Sequence, residues 1–317
     1  GAMAETLKIE IRTFQQVSKI DAKLKKVFVQ DDELEYSDLV LALGAEPIAL
    51  QMPGSEHLMH VNDLMDYQAF HQAVQGKEKI VVLGAGLVGC EYAHDLASAG
   101  FQVEVAAPDA QPLSRLVPDA CGQALIPALK DLGVNLHLGK AATKVEKTAK
   151  GLVVTLDDGS ELLADVVLSA VGLRPRVELA KQAQLTVNKG IVVNRHLKTS
   201  SDNVYALGDC AEVAGFNLLY VLPLMNCARA LAKTLAGQEV EIQYPVMPVM
   251  VKTPSLPIVT CPPQDESQGN WIIEGQSPHL QALFKDSQGN LLGYALTGEC
   301  VAEKIKLNKE LPASWFK

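Results

Sequence analysis

The chain has 317 residues, enough for two or three domains, and a composition that is 48% hydrophobic and 21% charged excludes a disordered tail. Net charge is −9, with 28 basic against 37 acidic residues, and the lack of a long basic run argues against nucleic acid as the main partner. No apolar run reaches the ~18 residues of a membrane span and no charged-then-apolar segment opens the chain, so a soluble cytoplasmic protein is expected.

In chain order, Val27–Val29 and Leu34–Tyr36 read as short strands, Leu39–Gly44 as a buried strand, and Leu64–Val74 as a linking helix. From Lys79 the pattern becomes regular. Ile80–Leu83 is a continuous apolar strand followed by an apolar helix to about Ala99. Val103–Ala106 is a second strand, Asp119–Leu132 a helix, and Val134–Leu138 a third strand. Strands alternating with helices imply a parallel sheet with right-handed crossovers. Leu152–Leu156 and Glu161–Leu163 flank Asp157-Asp158-Gly159, which predicts a small antiparallel insertion around a turn. Val166–Ala170 and Val204–Leu207 are further buried strands, and a long helix runs from about Leu222 to Ala236. A proline-rich stretch, Pro245 to Pro263, precedes a closing set of strands and a last helix.

Gly84-Ala85-Gly86-Leu87-Val88-Gly89 lies directly after one strand and directly before one helix. In such a GxGxxG the first glycine permits the turn, the second lets backbone approach a pyrophosphate, and the third lets helix and strand close up. The helix N-terminus then offers N–H donors to the phosphates. The carboxylate that should close the second strand and hold the adenosine ribose would fall near Ala107, followed by Pro108 and Asp109, so it is absent or displaced, with Asp109 as a candidate substitute. Arg115 is the nearest basic residue, which favours NADH over NADPH. Val204–Asp209 ends a strand in Gly-Asp, a pattern that sets a carboxylate at the ligand-binding edge of an α/β sheet; taken alone, Asp209 could equally be a turn former. The six cysteines, Cys90, Cys121, Cys210, Cys227, Cys261 and Cys300, form no CxxC pair, so neither a zinc ribbon nor a dithiol redox centre is indicated.

The block ending in Asp209 resembles the flavin ribityl-binding motif of the two-dinucleotide-binding-domain flavoprotein oxidoreductases. Leu41–Gly44 resembles that family's first ATG-type turn, and Ala170–Pro175 its later G-x-x-P turn; with the glycine turn, all stand in the family's order. Within the family the likeness is greatest to the NADH:rubredoxin reductase branch, over Gly84–Glu91, Leu168–Arg176, Tyr205–Glu212, Asn217–Met225, Val251–Pro254 and Leu307–Pro312. The resemblance implies an α/β fold of tandem Rossmann-like FAD and NAD domains with a small C-terminal α+β domain. The expected parts are FAD-domain segments at 1–76 and 194–245, an NAD domain at 77–193 and a C-terminal domain at 246–317. It implies FAD and NADH as cofactors, rubredoxin, a small acidic electron carrier, as partner, and electron transfer that needs no catalytic acid or base and no metal site. It places Gly84, Gly86, Leu87, Val88 and Gly89 on the nicotinamide dinucleotide, with Gly172 among the cofactor contacts. Glu91 falls near the junction of flavin and nicotinamide, Val17 at the adenine edge of FAD, Gly44 and Asp209 on the flavin nucleotide, and Val221 and Lys252 near the isoalloxazine.

The sequence departs from the family in one respect. No strand–GxGxxG–helix precedes residue 79, so a βαβ piece of at least ~30 residues, with the family's flavin-facing lysine, is expected to be missing. The expected consequences are weak FAD binding and open sheet edges that pair with another chain to give a homodimer. A ferredoxin- or nitrite-reductase-type flavoprotein and an inactive NAD-binding fragment are the alternatives. Glu91-x-x-His94 has carboxylate–histidine metal spacing but no second copy, and reads as a surface or packing histidine. His57 and His60 lie in a polar loop without companion ligands. Lys304, Lys306 and Lys309 read as a solvated helix face interleaved with Glu303 and Glu310, with docking of an acidic carrier as the other reading.

Overall fold

A computed structural model describes residues 2–314. The chain divides into two compact units. One is Gly1–Ala45 with Arg174–Gln243, and the other is Glu46–Leu173 with Tyr244–Lys317.

The second unit holds the regular part of the chain. Its five-stranded parallel sheet carries, in order, Leu58–Met59, Val166–Ser169, Lys79–Leu83, Gln102–Ala107 and Asn135–Leu138. Strands buried on both faces must be apolar throughout, and Ile80, Val81, Val82 and Leu83 are each at most 2% exposed. Helices Leu87–Ser98 and Asp119–Asp131 pack through Cys90, Ala93, Cys121, Leu125 and Leu129 on the face lined by Ile80, Val82, Val103 and Val105. The other face, with Val81, Leu83, Ala106 and Val167, packs against Val145, Val154 and Leu162 of an antiparallel sheet. That sheet contains the anticipated Gly151–Leu156 and Glu161–Ala164 strands, and a third, Ala142–Thr148, that the sequence reading did not include.

The proline-rich stretch holds two strands that were not anticipated, Val249–Val251 and Ile258–Cys261. Proline cannot donate to a ladder, but Pro248, Pro254, Pro257, Pro262 and Pro263 all fall outside the paired residues. These strands open a five-stranded antiparallel sheet with Leu291–Thr297, His279–Asp286 and Gly269–Gln276. Val251, Leu256, Ile258, Leu280, Ala282 and Ala295 join the same apolar cluster as the two dinucleotide-domain helices. The Thr260 hydroxyl, 3.0 Å from the Leu116 carbonyl, adds a polar tie at that seam. Helix Lys304–Glu310 closes the sheet through buried Leu307.

The first unit contains an antiparallel sheet of Val17–Asp21, Lys26–Val29 and Asp32–Glu35, and two parallel pairs, Leu39–Leu41 with Val204–Ala206 and Ile191–Val193 with Ala211–Val213. The strand expected over Leu39–Gly44 stops at Leu41, and only Leu41 of its three residues is buried. Beyond it the chain turns, reaching φ +69° at Gly44. Helix Val221–Leu235 buries Pro223, Cys227, Ala230 and Leu231. Among the described residues no helix is long and apolar enough to cross a membrane.

Candidate functional site

The glycine turn is built almost wholly from backbone. Strand Lys79–Leu83 ends at Gly84, where φ is +105° and a β-carbon would stand 2.6 Å from the Ala170 carbonyl oxygen. Turn and neighbouring strand both demand glycine. At Gly89, in the first turn of helix Leu87–Ser98, a β-carbon would overlap the Gly84 carbonyl oxygen, so helix and strand approach as they do only because that atom is absent. Gly86 differs. Nothing lies within 4 Å of where its β-carbon would be, so the position a pyrophosphate must approach is the one the protein leaves clear.

Gly86 is also the N-cap and supplies no side chain to the helix end. The first bond of the helix runs from the Cys90 N–H to the Gly86 carbonyl, 3.0 Å. The N–H groups of Leu87, Val88 and Gly89 therefore have no acceptor within the helix, and the helix dipole adds positive potential there. The residues present fit a dinucleotide pyrophosphate.

Strand Gln102–Ala107 ends beside the turn, with the Gly84 N–H on the Ala106 carbonyl at 2.8 Å. The loop beyond folds back, since Leu113, at φ +59°, donates its N–H to the Ala85 carbonyl at 2.8 Å. Asp109 on this loop accepts the Ser114 hydroxyl at 2.8 Å. Gly172 follows strand Val166–Ser169 at φ +111°, and its carbonyl accepts the Ile48 N–H at 3.0 Å.

Glu91 and Lys252, 161 positions apart in sequence, meet: Glu91 Oε1 accepts the Lys252 backbone N–H at 2.8 Å. One turn along the same helix, His94 Nε2 accepts the Ser255 N–H at 3.2 Å. His94 is 6% exposed, a packing histidine with a hydrogen-bonding task that sequence spacing did not disclose. Among the described residues no group of three or more His, Cys, Asp or Glu is arranged to hold a metal ion.

In the first unit, the parallel pairing of Leu39–Leu41 with Val204–Ala206 brings Gly44 and Asp209 to the same end of two neighbouring strands. The Leu207 N–H on the Leu41 carbonyl, 3.1 Å, continues that pairing. Cys210 Sγ then accepts the Leu43 N–H at 3.3 Å. Burial pushes the Cys210 thiol up, and burial pushes Cys90 up to about 12, so these sulfurs are packing groups and not thiolates. Asn217 braces the Asp209 turn by donating from Nδ2 to the carbonyls of Asp209, 3.0 Å, and Ala211, 2.8 Å. This brace links loop residues through a side chain, and nothing in the local sequence pattern marks it.

The Asp209 carboxylate is half-buried, and burial raises its pKa above the ordinary carboxylate value with no cation to offset the shift. A desolvated carboxylate is costly without donors, and sugar-like hydroxyls would supply them. The donor chemistry therefore fits the ribityl chain of a flavin. Val221, 71% exposed, opens helix Val221–Leu235. Val17, 37% exposed, opens strand Val17–Asp21 opposite Val29.

The family described as pyridine nucleotide-disulphide oxidoreductase matches residues 3–236, and a rubredoxin binding C-terminal domain matches residues 241–311. The rubredoxin-NAD(+) reductase of Alcanivorax borkumensis is 52% identical, covering 98% of this chain and 82% of its own length. That of Acinetobacter baylyi is 39% identical with the same coverage. A crystal structure of a ferredoxin reductase from Rhodopseudomonas palustris superposes with a TM-score of 0.88 over 99% of this chain and 80% of its own, at 23% identity, a likeness of fold.

Proposed function

The chain belongs to the pyridine nucleotide-disulphide oxidoreductase family, and from that membership we propose that it is an FAD-dependent oxidoreductase that takes a hydride from NADH and delivers electrons to rubredoxin. The observation that carries the reading is the glycine turn. Gly84 and Gly89 close strand and helix together, while Gly86 and the free N–H groups of Leu87, Val88 and Gly89 are left to an anionic dinucleotide. A half-buried Asp209 carboxylate in want of hydroxyl donors supports a flavin on the first unit.

Bound FAD supplies an acceptor that takes electrons in a pair and gives them up singly. The protein's part is to bind and orient. Leu87, Val88 and Gly89 would hold the NADH pyrophosphate by backbone donors, Asp109 would meet the adenosine ribose, and Asp209 would accept from the ribityl hydroxyls. Gly44, Gly172, Val17 and Val221 are assigned to the flavin and nicotinamide surfaces, as are Glu91 and Lys252. No proton need be moved by a side chain during hydride transfer, so orientation supplies most of the rate. The sequence has no CxxC pair, so the chain offers no such dithiol beside the flavin it would bind.

The rubredoxin-binding match at 241–311 supports rubredoxin as the acceptor. On the closing helix Lys306 and Lys309 are exposed, and steering of an acidic carrier requires little more than such a weak basic surface. Among the described residues, strand Leu39–Leu41 pairs only with Val204–Ala206, and its other edge supports self-association as a homodimer, testable by sedimentation velocity. Free cysteines fit a reducing cytoplasm.

The test of function is anaerobic titration of purified protein, supplied with excess FAD, with NADH, followed by turnover with rubredoxin and, separately, with a [2Fe–2S] ferredoxin. Flavin bleaching by NADH and faster turnover with rubredoxin are expected. Protein that carries no flavin and takes none up, or that prefers the ferredoxin, would overturn the assignment.

A further inference from the structure

His94 lies on the helix that the glycine turn begins, but faces away from any role in phosphate binding. Its ring is buried, and Nε2 is 3.2 Å from the backbone nitrogen of Ser255. A backbone N–H can only donate, so Nε2 must carry a lone pair. In the neutral ring the proton is then on Nδ1, which is 3.5 Å from the Asp95 carboxylate. One turn earlier Glu91 Oε1 accepts the Lys252 N–H at 2.8 Å. The segment between, Lys252 to Ser255, joins strand Val249–Val251 to the turn closed by the Leu256 N–H on the Thr253 carbonyl, 2.9 Å. The Thr253 hydroxyl caps the same turn from within, donating to the Leu256 carbonyl at 2.9 Å.

We propose that His94 is a positioning residue: with Glu91 it clips both ends of the Lys252–Ser255 segment to the dinucleotide helix, so that Lys252 is held in fixed register with the glycine turn. Glu91 fixes one end, at Lys252, while the buried Thr253 holds the turn between. The His94 acceptor fixes the other and determines where the Lys252 side chain starts. Loss of that acceptor would leave the Ser255 N–H without its protein partner. The functional half of the proposal rests on the reading that Lys252 faces the flavin.

The experiment compares His94→Leu, which removes the acceptor, with His94→Gln, whose side-chain oxygen reaches the same N–H. Thermal melts by circular dichroism check folding. If His94→Leu does not fold, His94→Asn, whose amide is too short to reach Ser255, replaces it. In the full chain, hydrogen–deuterium exchange of the peptide covering 251–256 should be about 10-fold faster in His94→Leu and near the parent rate in His94→Gln. Nitrogen-15 NMR of histidine-labelled protein should show one ring with a bare Nε2 and a protonated Nδ1 that is absent from either variant. NADH:ferricyanide turnover should show a lower kcat with unchanged KM for NADH in His94→Leu, restored in His94→Gln. Unchanged exchange in His94→Leu, or a His94→Gln variant as loose as His94→Leu, overturns the proposal. Faster exchange combined with full activity of Lys252→Met supports the clip and overturns the placement of Lys252 at the flavin.

Discussion

At Gly84–Gly89 the surface offered to a ligand is backbone, whereas at Asp209 it is a side chain on a turn whose backbone is braced by the Asn217 amide. The first region needs the absence of atoms: a β-carbon at Gly89 would overlap the Gly84 carbonyl, and the donors are N–H groups that the helix itself cannot use. The second needs a carboxylate that burial disfavours, kept in its turn by Asn217. The contrast predicts different failures. A backbone site is lost through shape, and substitution there damages fold and binding together. A side-chain site is lost through chemistry, and its removal can leave the fold intact or even improve it.

The largest effect is expected at Gly89. Gly89→Ala places a methyl group against the Gly84 carbonyl, so strand and helix must separate, which costs about 3 kcal/mol by analogy with overpacked cores. NADH affinity should fall about 100-fold as the donors move away. A thermal melt and an NADH titration check both. If Gly89→Ala melts like the parent, the close approach is not structural.

Asp209→Asn comes next and should split the two properties. Loss of a charge-assisted acceptor should weaken FAD by about 30-fold, measured by quenching of flavin fluorescence. The flavin-free protein should behave in the opposite way. Because burial raises the Asp209 pKa, the native state binds its proton more readily than the unfolded chain does, and the ionised carboxylate destabilises the fold near neutral pH. Stability of the flavin-free protein should therefore rise as pH falls through the raised folded pKa, and level off below the ordinary aspartate value. Asp209→Asn should remove that slope and be the more stable protein at pH above it. A variant with the parent's pH profile would break the comparison.

Gly86→Ala sharpens it from the other side. Its φ is −75°, a conformation open to alanine, and no atom lies within 4 Å of the added carbon. The melt should move little, within about 0.5 kcal/mol, while NADH affinity drops about 10-fold because the methyl group occupies the approach of the pyrophosphate. Equal losses of stability at Gly86 and Gly89 would show that the turn is a packing device and not a cradle.

The same division explains what could be read from the sequence. Local patterns carried the dinucleotide domain: an apolar run, a glycine turn and an amphipathic helix each state their structure within a dozen residues, and Ile80–Leu83 through Ser98 formed as their period requires. Strands Val249–Val251 and Ile258–Cys261 did not show, because proline density masks a ladder when every proline falls just outside it. The shortening of Leu39–Gly44 was hidden for a related reason, since its end is set by Gly44 and by Cys210 Sγ, 167 positions away from the N–H it accepts. Glycine roles at the site were legible because they are local. The His94 and Asn217 tasks were not, because each is defined by a backbone group on another loop.

Asn217 gives the smallest expected change and the finest test of that distinction. Its amide donates to two carbonyls, on Asp209 and Ala211, so it determines the path of the chain on either side of Cys210. Asn217→Ala removes both donors from a partly buried turn and should cost about 1–2 kcal/mol, the value of ordinary hydrogen bonds whose acceptors regain water. FAD affinity should fall by no more than about 5-fold, because the carboxylate remains and only its position is relaxed. Asn217→Asp makes the cause visible. It keeps the volume but replaces a donor with an acceptor facing two carbonyl oxygens, so it should be less stable than Asn217→Ala. The reverse order would mean that Asn217 fills space and does not brace the Asp209 turn.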